Sequence, residues 1–174
     1  GIPNGTYVVG SFQRDTEGSD LSSPKLEKGP DLFVEYVKKI KKDNLLILLG
    51  GWRRQYIIGR LEKEQIDYKY IELAPMEQLR QMYAACDLYV VSSRYEGGPQ
   101  AILEASAMGV PIVSRDVGMA KDVLSEECVF DIPQKIYYPT KEDVDFGVAN
   151  SKKFELASIV GEYNDMFEKA VRGK

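Results

Sequence analysis

The chain has 174 residues, 44% hydrophobic and 29% charged, a composition that builds one domain around a core and excludes a disordered chain. Its formal charge of -4 excludes a global basic field, and with it nucleic acid as the main partner. Histidine is absent, which excludes a His-based triad and His metal ligands.

Strand and helix signals alternate along the chain. "TYVVGSF" (residues 6–12) is β-branched and aromatic and reads as a strand. Residues 13–29 are polar and long for a strand-to-helix connection, which marks them as functional or mobile. "PDLFVEYVKKIKK" (30–42) sets Leu32, Phe33, Val37 and Ile40 on one helical stripe, with Pro30 in the first turn. "NLLILLGG" is a continuous apolar run, as expected of a parallel strand buried on both faces, and is too short to span a bilayer. Residues 52–65 read as helix, "DYKYIEL" as a strand, "PMEQLRQMYAAC" as an amphipathic helix and "DLYVVSS" as a buried strand. "PQAILEASAMG" is a helix, "VPIVS" a strand, 118–124 a short helix and "CVFDI" a last strand. Residues 133–149 read as irregular, and 151–172 as one long helix whose aromatics serve the core or an inter-domain contact. Cys86 and Cys128 lack metal-ligand spacing and read as reduced core residues. No signal-peptide pattern opens the chain, and its abrupt start suits a domain cut from a longer protein.

Repeated strand–helix units with non-alternating strands predict an α/β fold: a Rossmann-like parallel sheet of about six strands with helices on both faces. Ligands of such sheets bind beyond the C-terminal strand ends. The loops expected to matter are therefore residues 11–29, 50–52, 73–76, 92–99 and 114–119.

The stretch "RYEGGPQAILEASAMGVPIVS" (94–114) carries the most chemistry. Gly97 and Gly98 stand where a strand turns into a helix, where they allow close ligand approach and positive φ. Pro99 suits the first helical position and leaves the N–H groups of Gln100, Ala101 and Ile102 free, an anion site suited to a diphosphate. Glu104 follows about 7–8 Å along the axis. A nucleotide lying along that helix would bring its ribose hydroxyls to Glu104, with Glu96 at the other end of the diphosphate. The two carboxylates thus read as grips on one ligand rather than an acid/base pair. Without further context Glu104 reads first as a solvated helix residue, and Glu96 can be only a turn carboxylate favoured by the helix dipole.

The pattern E-G-x-x-x-x-x-x-E-A-x-A-x-G-x-P-I-V, from Glu96 to Val113, resembles the nucleotide-sugar-binding half of retaining GT-B glycosyltransferases of family 4, the glycosyl transferases group 1. "YAACDLYVVSSRYEG", "LLILLGG" and "KGPDLFVEYVKKI" resemble further parts of that family, and the resemblance runs from about Val8 to Leu124. It implies that Glu96 contacts the donor sugar and that Gly97, Gly98, Pro99 and the amides through Leu103 hold the diphosphate. It further implies that Glu104 binds the ribose and that Arg14 and Lys28 neutralise the leaving diphosphate. Leu73 and Ala74 would lie near the base, and Gly10 and Gly50 would keep the floor of the site low. Three departures stand out. The 14–28 connection is longer than the family's loop, so Lys25 competes with Lys28. Glu72 replaces a usual glycine, and the double-glycine turn is reduced to Val117-Gly118-Met119. Arg53 and Arg54 read as solvated helix charges, and Gly50-Gly51 as tight packing or ligand approach.

The implied function is the donor-binding domain of a glycosyltransferase that moves a sugar from a UDP-, GDP- or ADP-linked donor with retention. Its acceptor is a glycan, lipid or small molecule, and it needs an N-terminal domain absent from this chain. The isolated domain is expected to be inactive, with no cofactor, no metal and no transmembrane segment. Its location is cytoplasmic, with any membrane contact made through the absent domain. Alternatives are an epimerase or sugar-phosphorylase half of the same architecture, or a non-catalytic nucleotide-binding module.

Overall fold

The structure is a computed structural model that describes residues 1–172. Its elements in chain order are β1 (Tyr7–Ser11), the short β2 (Thr16–Glu17) and β3 (Ser23–Pro24), α1 (Pro30–Val37), β4 (Leu45–Gly50), α2 (Gln55–Lys63) and β5 (Tyr68–Ile71). There follow α3 (Met76–Ala84), β6 (Leu88–Val91), α4 (Gln100–Ala107), β7 (Ile112–Ser114), α5 (Ala120–Val123), α6 (Lys141–Ser151) and α7 (Leu156–Arg172).

The main sheet is parallel with the order β5-β4-β1-β6-β7. β1 is central: the chain builds outward through β4 and β5, then returns to the other side for β6 and β7. Such a reversal opens a crevice beyond the C-terminal ends of the strands on either side of it. The loops after β1 and β6 therefore meet there.

The apolar runs are continuous because both faces of each strand are buried. Val8, Leu48, Tyr89 and Val91 face one core layer, shared with Met82 and Tyr83 of α3 and Ile102 and Ala105 of α4. Val9, Ile47, Leu49, Leu88 and Val90 face the other, shared with Phe33, Val34 and Val37 of α1 and Ile57 and Leu61 of α2. Consecutive strand residues thus feed opposite layers, the period of two set by the pleat.

Four expectations are corrected. The sheet has five strands, not about six. Of "CVFDI", a 3-10 turn takes Cys128, and only Val129 bridges Ser114. Residues 133–149 are not irregular throughout, because α6 begins at Lys141. Its start is fixed by a capping box in which Thr140 and Asp143 bond each other's backbone amides. Gly147 lets α6 close on α4, since a Cβ there would lie 3.3 Å from Ser106 Oγ. The terminal helix is broken by a 3-10 turn at Lys152–Phe154. Among the described residues α7 buries no side chain in this chain: Tyr163 is 52% and Phe167 61% exposed.

Candidate functional site

The long connection after β1 is held in place by a buried ion pair. Arg54, at the start of α2, is fully buried and binds the Asp15 carboxylate and the carbonyls of Ser11 and Gly50. It thereby joins the C-terminal ends of β1 and β4 to the loop between them. Burial pushes the Asp15 carboxyl up, and the Arg54 charge pulls against it. Thr16 Oγ1 donates to Asp15 at 2.8 Å and accepts the Tyr56 amide at 2.8 Å, fastening the loop to α2. The reading of Arg54 as a solvated charge is therefore corrected. A charge beside two glycines gives no local sign of burial, because its partner stands 39 positions earlier.

The second half of that connection docks on the loop after β6. Glu27 O accepts the amides of Arg94 at 2.8 Å and Tyr95 at 3.2 Å. The Arg94 guanidinium grips Asp31 through two bonds of 2.8 and 2.7 Å and reaches Leu26 O at 2.9 Å. Gly29 (φ 62) allows this contact, since a Cβ there would collide with the Ser92 carbonyl. Lys28 is consequently presented to Glu96, and the two form an ion pair. The Lys28 carbonyl accepts Gln13 Nε2 at 2.9 Å and Ser92 Oγ at 3.2 Å. Ser93 Oγ lies 3.0 Å from Glu96 and 3.2 Å from Gln13 Oε1, and its proton serves one of them at a time. Lys25 pairs instead with Glu27 at 3.0 Å. Gln13, Ser92, Ser93 and Arg94 are supports that the sequence reading missed; the only hint was a polar pair ending an apolar strand.

Arg14 stands elsewhere. Its guanidinium lies 5.0 Å from the centre of the Trp52 ring, and Nε donates to Thr16 O at 3.1 Å. The fold thus draws Lys28 to the β6 side of β1 and Arg14 to the β4 side.

At the start of α4, Pro99 is the N-cap rather than the first helical residue. Ile102 donates its amide to Pro99 O at 3.0 Å, so it is not a free donor. Among the described residues no protein acceptor takes the amides of Gly97, Gly98, Gln100 or Ala101. Neither Gly97 nor Gly98 adopts positive φ; Gly97 borders open space instead. The turn at Gly118 (φ 51) lies against them, where a Cβ would sit 2.7 Å from Pro99 Cδ. A cleft of about 460 Å³ is lined by Arg94, Tyr95, Glu96, Gly97, Asp116, Val117 and Gly118.

Glu104 accepts a 2.7 Å hydrogen bond from the Tyr83 hydroxyl. Burial, the neighbouring Tyr89 and this carboxylate together push the Tyr83 hydroxyl far up, so it stays a donor. Tyr83 and Tyr89 meet Phe12 edge-on at 4.9 and 5.1 Å, and Tyr89 Oη accepts the Phe12 amide. Glu104 is in this way tied to the end of β1. Ile102 is buried in the core, and Ala101 and Leu103 pack on it, so only the backbone of that turn remains for a ligand. At Gly10 and Gly50 the space that a Cβ would take is filled by packed side chains. A Cβ at Gly10 would meet Cys86, Tyr89 and Phe12, and one at Gly50 would meet Met82 and Phe12. Leu73 is 71% exposed at φ 49, while Ala74 packs on the core. No helix among the described residues is long and apolar enough to cross a membrane.

The model of one family, described as "Glycosyl transferases group 1", matches residues 22–136. Among curated relatives, the O-antigen biosynthesis glycosyltransferase WclY of Escherichia coli is 20% identical over 132 residues, 75% of this chain and 35% of that protein. The O-antigen chain mannosyltransferase B of Escherichia coli is 34% identical over 85 residues, 47% of this chain and 22% of that protein. The chain thus spans about a third or less of the curated relatives it matches. A sucrose-phosphate synthase from Thermosynechococcus elongatus superposes with a TM-score of 0.73 at 18% identity, over 99% of this chain and 47% of that one. Anabaena HepE in complex with UDP and glucose superposes with a TM-score of 0.72 at 17% identity, over 95% of this chain and 49% of that one. At these identities the likeness is one of fold, the parallel α/β sheet of GT-B glycosyltransferases. With the family match covering 22–136 of 174 residues, this chain belongs to the glycosyl transferases group 1.

Proposed function

We propose that this chain is the donor-binding half of a retaining glycosyltransferase that takes a sugar from a nucleoside diphosphate. One observation carries the reading: the Lys28–Glu96 pair stands beside the four open amides at Gly97, Gly98, Gln100 and Ala101. That arrangement offers donors to a diphosphate and a carboxylate to sugar hydroxyls within one turn of chain. The complex of HepE with UDP and glucose lends support from the same fold.

In this reading the diphosphate rests on the open amides, where the helix dipole also favours negative charge. Glu96 accepts from the sugar hydroxyls, and Glu104, held by Tyr83, accepts from the ribose. The backbone at Leu73 and Ala74 borders the base. As the glycosidic bond breaks, the diphosphate gains charge and the sugar becomes oxocarbenium-like. Lys28 and Arg14 stabilise that gain more than they stabilise the intact donor, which lowers the barrier without a metal. Lys28 and Glu96 hold each other until the donor arrives; each then exchanges its partner for a group of the ligand.

Ligand-observed NMR of this chain with UDP, GDP, ADP and their sugar conjugates tests the donor site. Saturation transfer to at least one nucleoside diphosphate is expected, and transfer to none rejects the reading. In the full-length enzyme, a product of inverted anomeric configuration would remove retention alone.

A further inference from the structure

Trp52 follows β4 in the loop at the C-terminal edge of the sheet and is 45% exposed. Two guanidinium groups lie within cation–π reach of its ring, Arg53 at 4.5 Å and Arg14 at 5.0 Å. Among the described residues neither arginine forms an ion pair; each donates one hydrogen bond to the β2 hairpin, Arg14 to Thr16 O and Arg53 to Gly18 O. The ground beneath Trp52 is fixed. The Arg53 carbonyl accepts the amides of Asp15 at 3.3 Å and Thr16 at 3.1 Å, and the next residue is the buried Arg54. Two like charges thus share one indole and neither is ion-paired among the described residues, an arrangement that an anion would relieve. A ring face holds a guanidinium while leaving its in-plane N–H groups to a ligand.

We propose that Trp52 is a positioning residue for Arg14, holding its guanidinium by the face so that its remaining donors meet the diphosphate of a nucleotide. The proposal rests on the donor-binding reading above and adds to it the residue that sets the reach of Arg14. It predicts that Trp52 acts only through Arg14 and only on ligands that carry phosphate.

The test is a double-mutant cycle on this chain, with UDP, GDP and ADP as probes and calorimetry as the readout. Trp52→Ala and Trp52→Leu are each expected to weaken the best-bound diphosphate about threefold to tenfold, the scale of a lost cation–π contact, and Trp52→Phe by less than about twofold. In an Arg14→Ala background, Trp52→Ala is expected to add nothing. Affinity for uridine, guanosine and adenosine is expected to be unchanged. Trp52 is the chain's one tryptophan, so its fluorescence is expected to change when the diphosphate engages Arg14. Equal losses for nucleoside and diphosphate, or losses that add fully to that of Arg14→Ala, overturn the proposal and leave the donor site standing. Failure of the unaltered chain to bind any of the three diphosphates overturns the donor-binding reading and this proposal together.

Discussion

Lys28 and Glu96 stand 68 positions apart in sequence and form an ion pair at the C-terminal edge of the sheet. The pairing follows from strand order. β1 and β6 are neighbours, so the loops that leave their C-terminal ends share one crevice. Gly29 and the Arg94–Asp31 fork then fix how closely those loops approach.

On the proposed function, replacing Lys28 by Ala in an enzyme that carries this chain is expected to lower the turnover of sugar transfer by about 10²–10³, the cost of losing one preorganised charge at a developing anion. Affinity for the intact donor should fall much less, because the leaving group carries its extra charge only in the transition state. Steady-state rates with varied donor separate the two effects. Turnover that stays unchanged refutes the leaving-group role of Lys28.

Glu104→Gln is expected to weaken nucleotide binding by about 1–2 kcal/mol, the scale of a charge-assisted hydrogen bond. Tyr83→Phe, which removes the 2.7 Å support of that carboxylate, should weaken it in the same direction by less. Calorimetry with a nucleoside and its 2′-deoxy analogue checks the assignment. If Glu104→Gln leaves ribose and deoxyribose forms as different as before, the carboxylate does not read the ribose.

Arg54→Ala is expected to cost about 3–5 kcal/mol of folding stability, because it strands the Asp15 carboxylate in a buried site. The double substitution Arg54→Met with Asp15→Leu should recover part of that loss, since an apolar pair carries no charge-desolvation penalty while the Ser11 and Gly50 carbonyls still lose their donor. Urea unfolding measures both. A loss below about 1 kcal/mol for Arg54→Ala would place the pair in the class of surface charges.

Asp143 couples α6 to pH. Burial works against its ionised form, but hydrogen bonds from Ser125, Tyr137 and Thr140 outweigh this and hold its carboxyl at about 2, below the ordinary 3.8. A carboxylate lowered in the folded state contributes stability above its unfolded value and loses it as pH falls through the folded one. Asp143→Asn is therefore expected to destabilise the chain by about 1 kcal/mol at pH 7, after discounting for solvent screening. The gap should begin to close below about pH 4 and vanish only below about pH 2, where the folded carboxyl is also protonated. Thermal unfolding of both proteins across that range checks it; a gap independent of pH would assign the effect to the cap geometry rather than the charge.

The sequence by itself determined the parallel sheet and the strand–helix turn that opens the site. Its signals there are local: apolar runs in strands, stripes in helices, and glycines with a proline where the two meet. It also held a legible cue for α6, since Thr140 is followed three residues later by Asp143, yet Val144, Phe146 and Val148 form no helical stripe to strengthen it. Only the tertiary structure decided that Arg54 is buried, that Lys28 rather than Lys25 reaches Glu96, that Gly10 and Gly50 make room for Phe12, and that Arg14 rests on Trp52. These pairings join loops that strand order brings together across tens of residues, and periodicity carries no record of which loops those are.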